Sequence, residues 1–177
     1  MIMAYRTKTY IAADWTGDAN AIEQLKKWND SEYWSLSFTD AHDLTQARDG
    51  SLNCSIKTSL KTRLDASKAF VLIVGVETKS LRSGGCQYCD SYDSAIKKCK
   101  RGYSIDYRSY IDYECEKALE AYTDGKMSIV VLYNAASVDK SKCPDAIKST
   151  GTHAKMQKIV DGTRYWDYQS VKEAMGQ

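Results

Sequence analysis

Apolar residues along this chain fall in short blocks separated by polar turns, and the period within each block predicts its element. Thr9 to Ala13 (TYIAA) is a nearly unbroken apolar run and reads as a buried strand, closed by the turn cluster Asp14-Trp15-Thr16-Gly17-Asp18. Ile22, Leu25 and Trp28 or Asn29 then recur at helical spacing, with Asp18 placed to cap that helix. Leu36 to Thr39 alternates and predicts a second strand, running out at Asp40 into a polar loop through Asp49-Gly50. Ile56, Leu60 and Leu64 form a one-sided helix. Ala69 to Gly75 (AFVLIVG) is a continuous β-branched and apolar run, the pattern of a central strand covered on both faces.

The stretch from Glu77 to Arg108 is long and poor in period. A helix resumes near Ser109 and ends at Thr123, closed by Asp124-Gly125, and Ser128 to Tyr133 (SIVVLY) reads as another buried strand. Residues 134–163 are mixed and polar and hold Pro144, the only proline. Arg164 to Asp167 predicts a short last strand and Ser170 to Met175 a closing helix. Strands alternating with helices require crossovers, so the expected fold is α/β: a flavodoxin-like, three-layer, doubly wound parallel sheet of five strands. Residues 1–177 read as a single domain with an inserted loop at about 79–108.

Composition narrows the classes. A chain of 177 residues that is 43% hydrophobic suits one domain with a core of its own. A formal charge of +2 gives no field that would argue for nucleic acid. The longest apolar stretch, Ala69 to Val76, is too short to span a membrane. The first residues lead almost directly into a strand, so no leader is expected, and the cytoplasm is the expected compartment, with six thiol cysteines. Thirteen Tyr and four Trp against two Phe is an aromatic mix that suits binding surfaces as well as cores.

Ligands of open α/β sheets bind beyond the carboxyl ends of the strands. The residues there are Asp14, Trp15, Thr16 and Gly17 after the first strand, Asp40 and His42 after the second, Val76, Glu77 and Thr78 after the third, and Asn134 after the fourth. Ordinary turn chemistry uses the same residue types. Three cofactor uses of such a sheet are disfavoured. A phosphoacceptor needs an Asp where Gly75-Val76 stands, a flavin-phosphate loop would not place the Asp18 carboxylate beside a phosphate, and no G-x-G-x-x-G follows a strand. On the helix from Ser109, Ile111, Cys115, Ala118 and Tyr122 form one apolar stripe. Glu114 lies on its flank, where partial burial would raise its pKa, while Glu116 points to solvent.

The run Tyr110-Ile111-Asp112-Tyr113-Glu114 resembles the motif that opens the third helix of TIR-like proteins, the Toll/interleukin-1 receptor-like fold, with Tyr in place of the usual Trp. The likeness is to the small bacterial branch that includes the TIR-like component of Thoeris anti-phage defence. It extends to Tyr10–Asp18, to Phe38-Thr39-Asp40, and to Ser67–Gly75 with Thr78 beyond. The loop before the Glu helix is longer than in ordinary members. The resemblance implies cleavage of the nicotinamide–ribose bond of NAD, with or without cyclisation of the ADP-ribose. It makes Glu114 the catalytic carboxylate and places Asp14, Trp15, Asp40, Thr78 and Tyr110 around the substrate, Trp15 against a ring. NAD is then substrate, and no bound cofactor is expected. The alternative that the resemblance also carries is a non-enzymatic interaction module in signal transduction. Either reading admits a homo-oligomer or a partner effector protein, and neither calls for nucleic acid or a membrane.

The inserted loop holds Cys86-x-x-Cys89 and Cys99. A structural zinc site wants four ligands, but His42 and His153 are distant and no second CxxC follows, so unpaired thiols and no metal are expected. Lys97, Lys98, Lys100 and Arg101 make the loop basic, either a solvated surface or a lid whose charges meet phosphates.

Overall fold

The computed structural model describes residues 5–41 and 52–177. In chain order its elements are β1 (Lys8–Ala12), α1 (Ala19–Asp30), α2 (Asn53–Asp65), β2 (Ser67–Val74), β3 (Tyr92–Asp93), β4 (Lys98–Cys99), α3 (Tyr110–Thr123), β5 (Ser128–Tyr133), β6 (Thr152–Lys155), β7 (Gln157–Val160), β8 (Thr163–Trp166) and α4 (Tyr168–Ala174). The central sheet is parallel, in the order β1-β2-β5-β6.

Period-two alternation divides the core into two layers. Phe70, Leu72 and Val74 of β2 and Ile129, Val131 and Tyr133 of β5 point to one face, where Leu64 of α2 and Ile111, Cys115 and Ala118 of α3 cover them. Val71, Ile73, Val130 and Leu132 point to the other, against Ala21, Ile22, Leu25 and Trp28 of α1 and Val171 of α4. β2 is buried on both faces because β1 and β5 flank it and helices lie above and below, which is why its sequence is apolar without alternation. The α/β class and the doubly wound arrangement are as expected.

The number of strands is not. Among the described residues the parallel sheet has four strands, and Leu36–Thr39 is not one of them. That segment touches the sheet through a single parallel bridge between Asp40 and Thr9. Three of its other backbone groups are taken by side chains. Asn29 Oδ1 accepts from the Phe38 N–H at 2.7 Å, and the Gln177 amide bonds both the N–H and the carbonyl of Ser37 at 2.7 and 2.6 Å. Those three groups are not available to a ladder along β1. The last strand is also misplaced by pattern: Arg164–Asp167 falls largely in β8, which pairs antiparallel with β7 as a hairpin off the sheet. The fourth strand is instead β6, Thr-His-Ala-Lys, an edge strand only half-buried and therefore without an apolar run. Gly151 admits it, since a Cβ there would clash with the Ile129 carbonyl, and its φ is +78°.

Two local expectations also change. Asp18 occupies the N-cap position of α1 without capping it, because its carboxylate turns toward the end of the sheet. Tyr122 leaves the apolar stripe of α3 and is 42% exposed. The α3 start follows the expected pattern: Ser109 is the N-cap, and its Oγ accepts from the Asp112 N–H at 3.1 Å. His42 and the polar loop through Gly50 lie outside the described residues.

Candidate functional site

Beside the carboxyl-terminal half of β1 lies a cavity of about 270 Å³. β1 and the turn after it supply Tyr10, Asp14 and Trp15; α2 supplies Ile56, Leu60 and Arg63; the start of α3 supplies Tyr110, Ile111 and Glu114; Leu81 and Ser83 of the insertion close the remaining side. The walls are largely apolar, with a few polar groups converging, as in small-molecule sites. Trp15 stands at the rim, 41% exposed, with Lys26 Nζ 5.4 Å from its ring centroid. Asp14 is held by a tight turn in which its Oδ1 accepts from the Thr16 N–H at 3.1 Å.

Glu114 is buried, more deeply than its flanking position on α3 implied. Burial pushes its pKa up from 4.5 to about 7, against the opposing effects of a hydrogen bond from Tyr10 and the positive charge of Arg63. Tyr10 Oη donates to Glu114 Oε1 at 2.8 Å. The Tyr10 phenol is itself driven well above its ordinary pKa by burial and the adjacent carboxylate, so it stays a donor. Near neutrality the site therefore holds a carboxyl group poised between its two protonation states, a property that clusters at functional sites. Glu116, in contrast, sits at the surface and pairs with Arg108 at 2.6 Å.

Asp14, Trp15, Tyr110 and Glu114 thus share one cavity. Asp40 and Thr78 stand apart from its lining. Asp40 is the bridge residue beside Thr9. Thr78 is buried in a second polar cluster, where its Oγ accepts from the Gly75 N–H at 2.8 Å and it hydrogen-bonds the Asp18 carboxylate. Asn134 Nδ2 donates to Asp18 Oδ1 at 2.8 Å and Gln157 Nε2 donates to Asn134 Oδ1 at 2.8 Å. Burial raises the Asp18 pKa despite these bonds. Gly75 is required here, because any Cβ would overlap the Asp18 carboxylate. This cluster joins the ends of β2 and β5 to the start of α1.

Tyr10 and Arg63 are site residues that sequence reasoning missed. Arg63 could have been found as a cation in register with Ile56 and Leu60 on the inward face of α2, where a charge is out of place. Tyr10 carries no such signal: within a buried strand, a tyrosine is an ordinary core residue.

The insertion is held against the helices by polar contacts. The buried Lys57 of α2 donates to the Arg108 carbonyl at 2.7 Å and lies 3.4 Å from Asp106 Oδ2. Arg108 grips Asp106 with two parallel bonds of 2.9 Å, and these cations hold the Asp106 carboxyl at about 2 despite partial burial. Tyr110 N–H donates to the Ser83 carbonyl at 2.8 Å. The basic residues Lys97, Lys98, Lys100 and Arg101 are exposed around the β3–β4 hairpin and contribute nothing to the lining of the Glu114 cavity.

An open parallel sheet with a cavity beside the carboxyl end of its first strand defines an α/β protein of flavodoxin-like type with a small-molecule-sized site. Residues 9–83 match the family model described as Thoeris protein ThsB, TIR-like domain. The match agrees with the resemblance read from the sequence and runs from β1 through β2 to Ser83; Glu114 lies beyond the matched residues. No curated protein matches the chain. Among the described residues no helix is long and apolar enough to cross a membrane.

Proposed function

We propose that this chain is a TIR-like signalling protein of Thoeris anti-phage defence that cleaves the nicotinamide–ribose bond of NAD, with Glu114 as the catalytic carboxylate. The observation that carries the reading is Glu114 itself: a buried carboxyl, hydrogen-bonded by Tyr10, inside a cavity that also holds Asp14, Trp15 and Tyr110. A cavity near the lower limit of small-molecule sites takes the ribose and the ring beside the scissile bond, leaving the rest of the dinucleotide outside.

The chemistry asks little of the protein. The C1′–N1 bond breaks with its electron pair going to the nicotinamide nitrogen, so a neutral leaving group departs and needs no general acid. Positive charge develops on the ribose as an oxocarbenium ion, and an ionised Glu114 in an apolar cavity stabilises it far more than water would. Water then adds at C1′ and loses a proton to give ADP-ribose, or a ring nitrogen of the adenine adds to give a cyclic product. Trp15 at the rim offers a face for the departing ring.

The test is release of nicotinamide from NAD at increasing protein concentration, with Glu114→Gln as control. Release that is lost in the variant supports the reading. No release from folded protein at high concentration overturns it and leaves the non-enzymatic interaction module.

A further inference from the structure

The fold brings four cysteines to one place. Cys54 stands in the first turn of α2, Cys86 and Cys89 bracket the short 3-10 turn of the insertion, and Cys99 ends β4; all four line a single cleft of about 10 Å³. That is space for about one water or one ion. None of the four is in a disulfide. The sequence offers only the three cysteines of the insertion as an obvious group, and the fourth arrives from a different element.

Two further features mark the cleft. Its backbone is arranged to receive negative sulfur. The Cys99 thiol accepts from the backbone N–H groups of Arg101, Gly102 and Tyr103, and the Asp106 N–H donates to Cys86 Sγ at 3.2 Å. Such amide-to-sulfur bonds orient and tune thiolate ligands. The insertion also has no apolar core. From residue 81 to 108 the only buried positions are Gly84 and Gly85, and its strands are two residues each. A segment of this kind needs a staple to hold one shape.

We propose that Cys54, Cys86, Cys89 and Cys99 bind one zinc ion as four thiolates, pinning the insertion to the first turn of α2. Among the described residues no three His, Cys, Asp or Glu side chains form a ready-made metal group. Neutral thiols have no reason to crowd together; it is the cation that draws sulfurs to the roughly 3.8 Å spacing set by Zn–S bonds of about 2.3 Å in a tetrahedron. Binding replaces four S–H bonds with four Zn–S bonds and releases four protons to solvent, with no redox change. The product carries two negative charges, which Lys97, Lys98, Lys100 and Arg101 around Cys99 offset. The basic run thereby has a role that the Glu114 cavity does not give it. Asn53, next to Cys54, donates to the Gly85 carbonyl at 3.0 Å and accepts from Tyr110 Oη at 3.1 Å, so the staple would steady the wall that Ser83 and Tyr110 build for that cavity.

The test reads metal and not turnover, so it stands apart from the fate of the NAD reading. Full-length protein purified without chelator is measured for zinc per chain by elemental mass spectrometry. About one equivalent is expected, falling at least tenfold in Cys54→Ser and in Cys99→Ser and unchanged in Cys143→Ala. Because a ligand variant could fail to fold, chelator-stripped wild-type protein under reductant is also titrated with Co²⁺. Saturation at one equivalent, with the thiolate charge-transfer bands and intense visible bands of a tetrahedral four-sulfur site, displaced by zinc, supports the proposal even if the protein is purified metal-free. Absence of those bands, or one equivalent of zinc in the wild type that Cys54→Ser and Cys99→Ser both retain, overturns it.

Discussion

Replacing Glu114 with Gln keeps the shape of the side chain and its ability to accept from Tyr10 Oη, but removes its charge. In the folded protein the Glu114 carboxyl titrates at about 7, against 4.5 for an unburied Glu. The native state therefore holds this proton more tightly than the unfolded chain does, and a shift of that size corresponds to about 3 kcal/mol. The sign follows directly. The stabilisation from a protonated Glu114 is fully present below pH 4.5, is lost progressively as pH rises through about 7, and changes no further above that. Glu114→Gln has no such dependence. Its stability relative to wild type should be near equal at pH 4 and should grow to about 3 kcal/mol in favour of the variant at pH 8. Urea denaturation of both proteins across this range measures the difference. A gap that is flat with pH, or that widens toward acid, would refute the assignment of Glu114 as a desolvated carboxyl. The same titration governs the proposed reaction, which needs the carboxylate: turnover should rise with pH through about 7. Tyr10→Phe removes a hydrogen bond that favours the ionised form, so its pH profile should move to higher pH.

Three other substitutions check the framework around the site. Gly75→Ala drives a methyl group into the Asp18 carboxylate and should cost more than about 2 kcal/mol of stability by denaturant unfolding, with partial recovery when Asp18→Ala is added. Asn134→Ala withdraws a hydrogen bond from the buried Asp18 and should cost about 2 kcal/mol at neutral pH by the same measurement. Lys57→Met unties the return arm of the insertion from α2, so amide hydrogens of Asp106 to Arg108 should exchange measurably faster while those of β2 and β5 keep their protection.

Elements buried on both sides were legible in the linear pattern. β2 and β5 show as apolar runs because helices cover both their faces, and the start of α3 shows because Ser109 caps it through contacts within one turn. Edges were not legible. β6 enters the sheet with Thr-His-Ala-Lys, a sequence that no apolar period marks, while Leu36–Thr39 alternates correctly yet makes one bridge, its amides claimed by Asn29 and Gln177. Strand pairing at an edge depends on which partners the folded chain brings to the backbone groups, and those partners can lie anywhere in the chain.

The site divides along the same line. Residue order was enough to place Asp14 and Trp15 after the first strand and Glu114 on the flank of a helix, because strand ends and helix faces are set by local period. Folding alone decided that Glu114 would be buried and not merely flanking. Its depth comes from Tyr10, 104 positions earlier, and from the inward face of α2, neither of which a helical wheel contains. The cysteines repeat the lesson, since Cys54 joins the three of the insertion only because α2 packs beside it. Period reports the environment of a residue along its own element, whereas a pKa, a cavity or a ligand set is made by neighbours that only the closed chain brings within a few ångströms.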